Sequence, residues 1–190
     1  MRQGKSGPTI AADEHPRGDT TIQSLRKLAP VFKTAGGSVT AGNSSGITDG
    51  AAAVLVCTES ALKDLKAPPT ARILGVAAAG VDPKIMGIGP VPATRSLLKR
   101  LGMKLDDFGL IEANEAFAAQ VLACDRELRF DPEKLNVNGG SLALGHPIGC
   151  TGARIVVTLV HEMARRRVRY GLATLCISGG MGLSAAFELA

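Results

Sequence analysis

Asn136-Val-Asn-Gly-Gly-Ser-Leu-Ala-Leu-Gly-His-Pro-Ile-Gly-Cys-Thr-Gly-Ala-Arg154 is the stretch on which the reading of this 190-residue chain turns. It sets His146 between a glycine and a proline, just ahead of an apolar run at helical spacing: Ile155, Val156, Leu159, Val160 and Met163. Pro147 biases His146 toward extended backbone. Gly145 and Gly149 permit tight turns and a close approach to a ligand. The pattern predicts a short strand ending over 136–139, a loop carrying His146, and a helix from about Ala153. A histidine at the mouth of a helix N-terminus sits where anions are favoured, a thiolate or a developing oxyanion among them.

Outward from this stretch, strand and helix patterns alternate. Ala52–Thr58 reads as a strand, Glu59–Leu65 as a helix and Ala71–Ala79 as a strand. Ala93–Leu101 reads as a helix, Gly109–Ala113 as a strand and Ala116–Leu128 as a helix. Leu172–Ile177 and Leu183–Leu189 close the chain as two strands joined by a glycine-rich connector, which predicts a hairpin. Such alternation implies an α/β fold, a layered mixed five-stranded sheet covered by helices. Upstream, Thr20–Leu28 reads as a short capped helix stopped by Pro30. No internal repeat or linker divides residues 1–190, so one domain is expected, with 1–12 as a flexible start.

Composition narrows the function classes. The chain is 45% hydrophobic but only 3% aromatic, so its core is built of Ala, Val, Leu and Ile. The net charge of +5 suits an anionic ligand without requiring one. The basic cluster Arg165-Arg-Arg-Val-Arg169 falls at a helix end, where cations complement the dipole. With few aromatics to stack on bases, nucleic acid is not an expected partner. The four cysteines, Cys57, Cys124, Cys150 and Cys176, show neither CxxC nor zinc-ligand spacing. No metal is expected, and reduced thiols in the cytoplasm are the default. No apolar run is long enough to span a bilayer, so no membrane role is expected.

Three strand-end loops carry polar residues out of keeping with their surroundings, where open α/β sheets place their ligand sites. Asn114, in Glu112-Ala-Asn-Glu-Ala-Phe117, is either a helix N-cap or a site residue. The second loop is that of His146. In the third, Leu175-Cys-Ile-Ser-Gly-Gly-Met-Gly182, Cys176 is either an inert small hydrophobe or, if it shares a site with a histidine, an acid, base or nucleophile.

Asn-Glu-Ala-Phe at 114–117, Asn-Gly-Gly-(x)4-Gly-His-Pro-(x)-Gly-(x)-Thr-Gly at 138–152 and Cys-(x)2-Gly-Gly at 176–180 stand in this order. Together they resemble the signature motifs of the thiolase family, the acyl-CoA C-acyltransferases. Val39–Gly46, Asp49–Ala53 and Met86–Pro90 extend the resemblance upstream, and it runs from about Asp13 to the end. The resemblance implies the C-terminal half of a thiolase, reversible Claisen condensation and thiolysis of 3-ketoacyl-CoA, and coenzyme A thioesters as substrates with no separate cofactor. It implies that His146 is the base that activates the nucleophilic thiol, that Cys176 exchanges the proton of the acetyl-CoA methyl group, and that Asn114 positions a water in an oxyanion hole. Ser45, Phe117 and Met86 match residues along the pantetheine and acyl path, and Arg17 a contact at the nucleotide end. A homo-oligomer is the expected assembly.

The chain departs from the family in one respect that matters. The acyl-carrying cysteine of the family lies in the N-terminal half, and none of Cys57, Cys124 or Cys150 matches it. Two readings follow: a half that works with an N-terminal thiolase half, in the same or a separate chain, or a stand-alone non-catalytic remnant acting as a binding or structural module. The intact set of residues expected of this half favours the first.

Overall fold

The computed structural model describes residues 9, 11–65, 68 and 70–190. Most of the start expected at 1–12 lies outside them. Four strands among the described residues form one sheet: β1 (Ala71–Gly80), β2 (Leu110–Ala113), β3 (Tyr170–Ile177) and β4 (Met181–Leu189). Their order is β1-β4-β3-β2. β4 runs antiparallel to β1 and β3, while β2 runs parallel to β3, so the sheet is mixed. The closing hairpin pairs Ile177 with Met181 across Ser178, Gly179 and Gly180.

Neither 136–139 nor 52–58 forms a strand, the first for a local reason and the second for want of a neighbour. Just ahead of 136–139 the chain makes a single parallel bridge, Ile111 to Leu135, and then leaves the sheet. Asn136 takes a positive φ of 46° there. Its side chain replaces the lost ladder: Oδ1 accepts from Ala113 N at 2.8 Å and Nδ2 donates to Ala113 O at 2.9 Å. Residues 52–58 form no strand, because no strand lies beside them among the described residues. The side chains stand in solvent, with Leu55 81% exposed. The sheet is therefore four-stranded rather than five-stranded.

Six helices are described: α1 (Ile22–Leu25), α2 (Glu59–Leu62), α3 (Pro90–Leu101), α4 (Ala118–Leu128), α5 (Ser141–Leu144) and α6 (Thr151–Arg166). Pro90 at the first position of α3 starts the helix with φ already set. Alternation along the strands sends side chains to two apolar clusters. Ile111, Leu172 and Ala186 join Val91 and Leu97 of α3 and Cys124 of α4 on one face. Leu110, Ala173, Ala185 and Phe187 meet Ile155, Leu159 and Met163 of α6 on the other. Central strands covered on both faces read as near-continuous apolar runs, which is how they appear in the sequence. The few hydroxyls in this core bond to one another. Ser184 Oγ lies 2.9 Å from Thr94 Oγ1 and 2.8 Å from Thr174 Oγ1.

The basic cluster after α6 is engaged in ion pairs. Arg165 and Arg166 both bond to Glu162, and Arg169 bonds to Glu188 while lying over the Tyr170 ring. Hydrogen bonding from Arg165 holds the Glu162 carboxyl down to about 2.

Helix α3 reaches the sheet backbone to backbone. A Cβ on Gly182 would stand 2.0 Å from the Gly89 carbonyl, at the first turn of α3. Gly182→Ala is expected to destabilise the fold by roughly 3 kcal/mol, the upper part of the overpacking range. Gly152→Ala, at an open position in α6 with no atom within 4 Å, is expected to stabilise it by up to about 1 kcal/mol. Urea midpoints of the two variants in opposite directions from the parent would bear this out; equal midpoints would refute it.

Candidate active site

The loop between α5 and α6 is shaped by two backbone features. Gly145 adopts φ 93°, a conformation open mainly to glycine, and directs the chain out of α5. The Pro147 carbonyl then accepts from Cys150 N at 2.7 Å and Thr151 N at 2.8 Å, which leads into α6. His146 lies between these turns, and its backbone N–H donates to Gly46 O at 2.8 Å. Its ring is oriented by the first residue of α6. Nδ1 lies 2.6 Å from Thr151 Oγ1, and that hydroxyl donates to Pro147 O at 3.0 Å. A carbonyl only accepts, so the threonine proton is committed to it and Thr151 Oγ1 accepts from Nδ1–H. Nε2 is left as the acceptor nitrogen of the ring. Burial, reinforced by the Arg154 charge, lowers the pKa of His146 and keeps the ring neutral.

Nε2 faces Asn114, whose Nδ2 is 3.5 Å away. Asn114 sits directly after β2 and is buried, with its backbone N–H on Thr174 O at 2.9 Å. The capping role open to it in the sequence does not occur. Helix α4 begins at Ala118 with Phe117 at its N-cap, and no side chain caps it. Instead, Asn114 Oδ1 accepts from Ser141 Oγ at 2.6 Å, and Arg154 Nη2 donates to that same Oγ at 2.9 Å. Glu115 ties the neighbouring loop down, accepting from Asn136 Nδ2 at 2.8 Å and from Leu142 N at 3.1 Å. Behind them lies Glu112, 4.0 Å from Arg154 Nη1, a buried nitrogen that makes no hydrogen bond. Burial pushes the Glu112 carboxyl up to about 7 despite the opposing pull of Arg154.

Cys176 is buried on β3, opposite Gly182 of β4. Burial raises its thiol pKa, so the sulfur holds its proton near neutrality. Among the described residues no hydrogen bond joins it to His146. A second buried thiol lies near enough to interact with it. Cys124 Sγ donates to Gly87 O at 3.3 Å and is raised to about 11 by burial, with a smaller contribution from Cys176. Met86 precedes that glycine in the 3-10 helix Pro83–Ile88. The Ser45 segment threads between the first two motifs. Ser45 N and Oγ both donate to Ala116 O at 3.0 Å, and Ser44 bridges Phe117. The Phe117 ring meets Phe32 edge-on, with centroids 5.8 Å apart. Arg17 stands apart from this group in an exposed turn, where its carbonyl accepts from Thr20.

The structure thus joins Asn114 to His146 directly and brings Ser45 and Phe117 together beside them. Thr151, Ser141, Arg154 and Glu115 orient this group and were not picked out as site residues in the sequence. Two signals were available: Arg154 and Glu112 are charges set within otherwise apolar runs. A cleft of about 510 Å³, lined by Arg72, Arg169, Tyr170 and Glu188 among others, opens at the other end of the strands, and neither a cysteine nor a histidine lines it.

Residues 67–189 match the family described as "Thiolase, C-terminal domain" and residues 1–60 that described as "Thiolase, N-terminal domain". The boundary divides a chain that the sequence pattern treats as one C-terminal domain. The acetyl-CoA acetyltransferase of Pseudomonas aeruginosa is 58% identical over 172 residues, covering 90% of this chain and 44% of that protein. The crystal structure of the Bacillus anthracis acetyl-CoA acetyltransferase superposes with a TM-score of 0.94 at 49% identity, covering 100% of this chain and 48% of that one. Human mitochondrial 3-ketoacyl-CoA thiolase in complex with CoA gives a TM-score of 0.88 at 46% identity, covering 95% and 46%. The chain spans about half the length of the relatives it matches.

The raised Glu112 has a consequence for stability. Unfolded, its carboxyl loses its proton near 4.5; folded, it keeps it to about 7. Between these values the folded state binds more protons, so Glu112 makes stability fall as pH rises, by at most about 1.4 kcal/mol per pH unit. Glu112→Gln is expected to flatten that slope. Urea midpoints at pH 5 and pH 7.5 test this, and an unchanged slope in the variant would rule it out.

Proposed function

The chain belongs to the thiolase family, and on that premise we propose that it carries the proton-transfer half of an acyl-CoA C-acyltransferase. The acyl-accepting thiol comes from polypeptide beyond these 190 residues. One observation carries this reading: the acceptor nitrogen Nε2 of His146 and the amide nitrogen of Asn114 converge at the strand ends, 3.5 Å apart. A base and a hydrogen-bond donor are what acyl transfer to a thiol requires.

In thiolysis, the partner thiol gives its proton to His146 Nε2, and its sulfur bonds to the C3 carbonyl carbon of a 3-ketoacyl-CoA. The tetrahedral oxyanion collapses and breaks the C2–C3 bond. The shortened acyl group remains on sulfur, and the acetyl-CoA enolate departs. Cys176 gives its proton to C2 of that enolate, completing acetyl-CoA; free coenzyme A then gives its thiol proton to the Cys176 thiolate, its sulfur bonds to the acyl carbon, and the departing partner thiolate takes its proton back from His146. Condensation is the reverse. A neutral His146 suits the base, and a thiol that keeps its proton until a carbon base needs it suits Cys176. Asn114 Nδ2 orders a water that donates to the developing enolate oxygen. Ser45, Phe117 and Met86 line the approach of the pantetheine arm, and Arg17 meets the nucleotide end. The substrates are coenzyme A thioesters, and the chemistry calls for no metal or other cofactor.

Exposed apolar side chains support a covering partner. Ile47 is 84% exposed, and Val54, Leu55 and Val56 form a consecutive exposed apolar run, the kind of surface that a partner covers. We assign that cover to the remainder of a thiolase N-terminal half, within a homo-oligomer. All four cysteines are free, which suits the reducing cytoplasm we assign to it. Among the described residues, no helix is long and apolar enough to cross a membrane.

The isolated chain is expected to turn over neither acetoacetyl-CoA nor acetyl-CoA. Steady turnover that is lost on mutating Cys57, Cys124 or Cys150 would reveal a substitute nucleophile and overturn the assignment. Combined with a polypeptide bearing the nucleophile, the chain should give a burst of acyl-enzyme. His146→Ala should abolish the burst. Cys176→Ser should leave the burst measurable but stop the carbon–carbon step, a hydroxyl being a far poorer proton carrier near neutral pH. Asn114→Ala should slow turnover by about 10²-fold or more. No burst in any combination would leave a non-catalytic binding module as the better reading. Blocked acylation with a normal carbon–carbon step in Cys176→Ser would make Cys176 the nucleophile.

A further inference from the structure

We propose that Ser141, itself fixed by Arg154, is a positioning residue that decides which end of the Asn114 amide faces His146. The inference rests on the site assignment above and concerns residues to which that assignment gives no role. Its origin is a chain of hydrogen bonds that can run in only one direction. Arg154 has donors and no acceptor, so Ser141 Oγ must accept from Nη2, 2.9 Å away. The hydroxyl proton is then free for another acceptor, and Asn114 Oδ1 lies 2.6 Å from Oγ. Committing Oδ1 to Ser141 turns Nδ2 toward His146 Nε2.

The reversed amide is disfavoured twice. Ser141 would lose the acceptor for its proton in a site where Ser141 is 0% and Asn114 1% exposed, and a buried unpaired donor is costly. Oδ1 would also confront the Nε2 lone pair, acceptor against acceptor. Thr151 keeps that lone pair at Nε2, because its own proton is taken by Pro147 O. Protonating His146 removes this second conflict but not the first. Amide direction and imidazole protonation are therefore linked, and Ser141 holds the linkage in the state with a neutral base and an outward donor. Lacking the hydroxyl, Asn114 turns and its oxygen favours the imidazolium.

A titration reads this without any turnover. Ser141→Ala leaves Arg154, Glu112 and Glu115 in place, so every charge around His146 is unchanged. By NMR on isotopically labelled chain bound to its nucleophile-bearing partner, the His146 ring is expected to titrate about one unit higher in Ser141→Ala than in the parent. His146→Gln assigns the signal against His15 and His161. Ser141→Cys, with a weaker donor of similar size, should shift it part of the way in the same direction, and it carries the test if the alanine variant does not fold. An unchanged His146 titration in the folded variants would overturn the proposal. In the same assembly, Ser141→Ala should lower kcat about tenfold with KM within about twofold, because the donor acts on charge that develops in the transition state. If no version turns over, the catalytic assignment fails while the titration still decides the role of Ser141. A shifted titration with unchanged kcat would refute the positioning role in catalysis.

Discussion

Everything at this site depends on the parallel pairing of β2 with β3. Covered by helices on both faces, the edge strand β2 and its neighbour β3 run in register from Leu110–Gly171 to Ala113–Thr174. The ladder continues one step further, with Asn114 N–H on Thr174 O at 2.9 Å. Parallel strands point their C-terminal ends the same way, so the residues that follow Ala113 and Thr174 lie along one edge of the sheet. Asn114 directly follows Ala113, and Cys176 lies two residues beyond Thr174 on the other strand. Any slip in this register would separate two motifs far apart in sequence.

Helix α6 links that edge to the histidine. Its apolar face, Ile155, Leu159 and Met163, seats it on the sheet. Its first residue, Thr151, holds the imidazole, and Arg154 one turn later holds Ser141. The same helix therefore serves the core along one stripe and the site at its N-terminal turn. Its opening turn carries no carboxylate, and the Arg154 guanidinium lies there. Both the helix dipole and that guanidinium keep the surroundings positive. Such a field disfavours an imidazolium and favours a neutral base beside developing negative charge.

Two groups of polar side chains in and beside the core serve different purposes. The hydroxyls of Thr94, Thr174 and Ser184 bond to one another and to the Leu183 carbonyl within the core. Glu112, Asn114, Ser141, Thr151 and Arg154 run from the core to the sheet edge, and satisfaction is incomplete where Glu112 meets Arg154. Glu112 holds its proton to about 7, and Arg154 Nη1 makes no hydrogen bond among the described residues. A fold tolerates such imperfect satisfaction at functional sites and rarely elsewhere, because a buried polar group without a partner costs stability.

The sequence by itself determined the alternating α/β pattern, the closing hairpin of β3 and β4, and the motif-bearing loops of Asn114, His146 and Cys176. These rest on local rules: side-chain periodicity, the backbone limits of proline and glycine, and the order of short motifs. Tertiary structure alone decided the rest. Whether Asn114 caps a helix or faces a histidine depends on where α4 begins, and it begins at Ala118. Whether 136–139 adds a fifth strand depends on Asn136, whose side chain takes the place of the ladder. The apolar run at 52–58 has strand composition, but a strand needs a neighbour, and pairing is not a local property. The tautomer of His146 and the direction of the Asn114 amide are set by Thr151, Ser141 and Arg154, whose donors and acceptors meet only once α5 and α6 are docked on the sheet. Hydrogen-bond direction is a relation between partners, and no single residue in the sequence carries it.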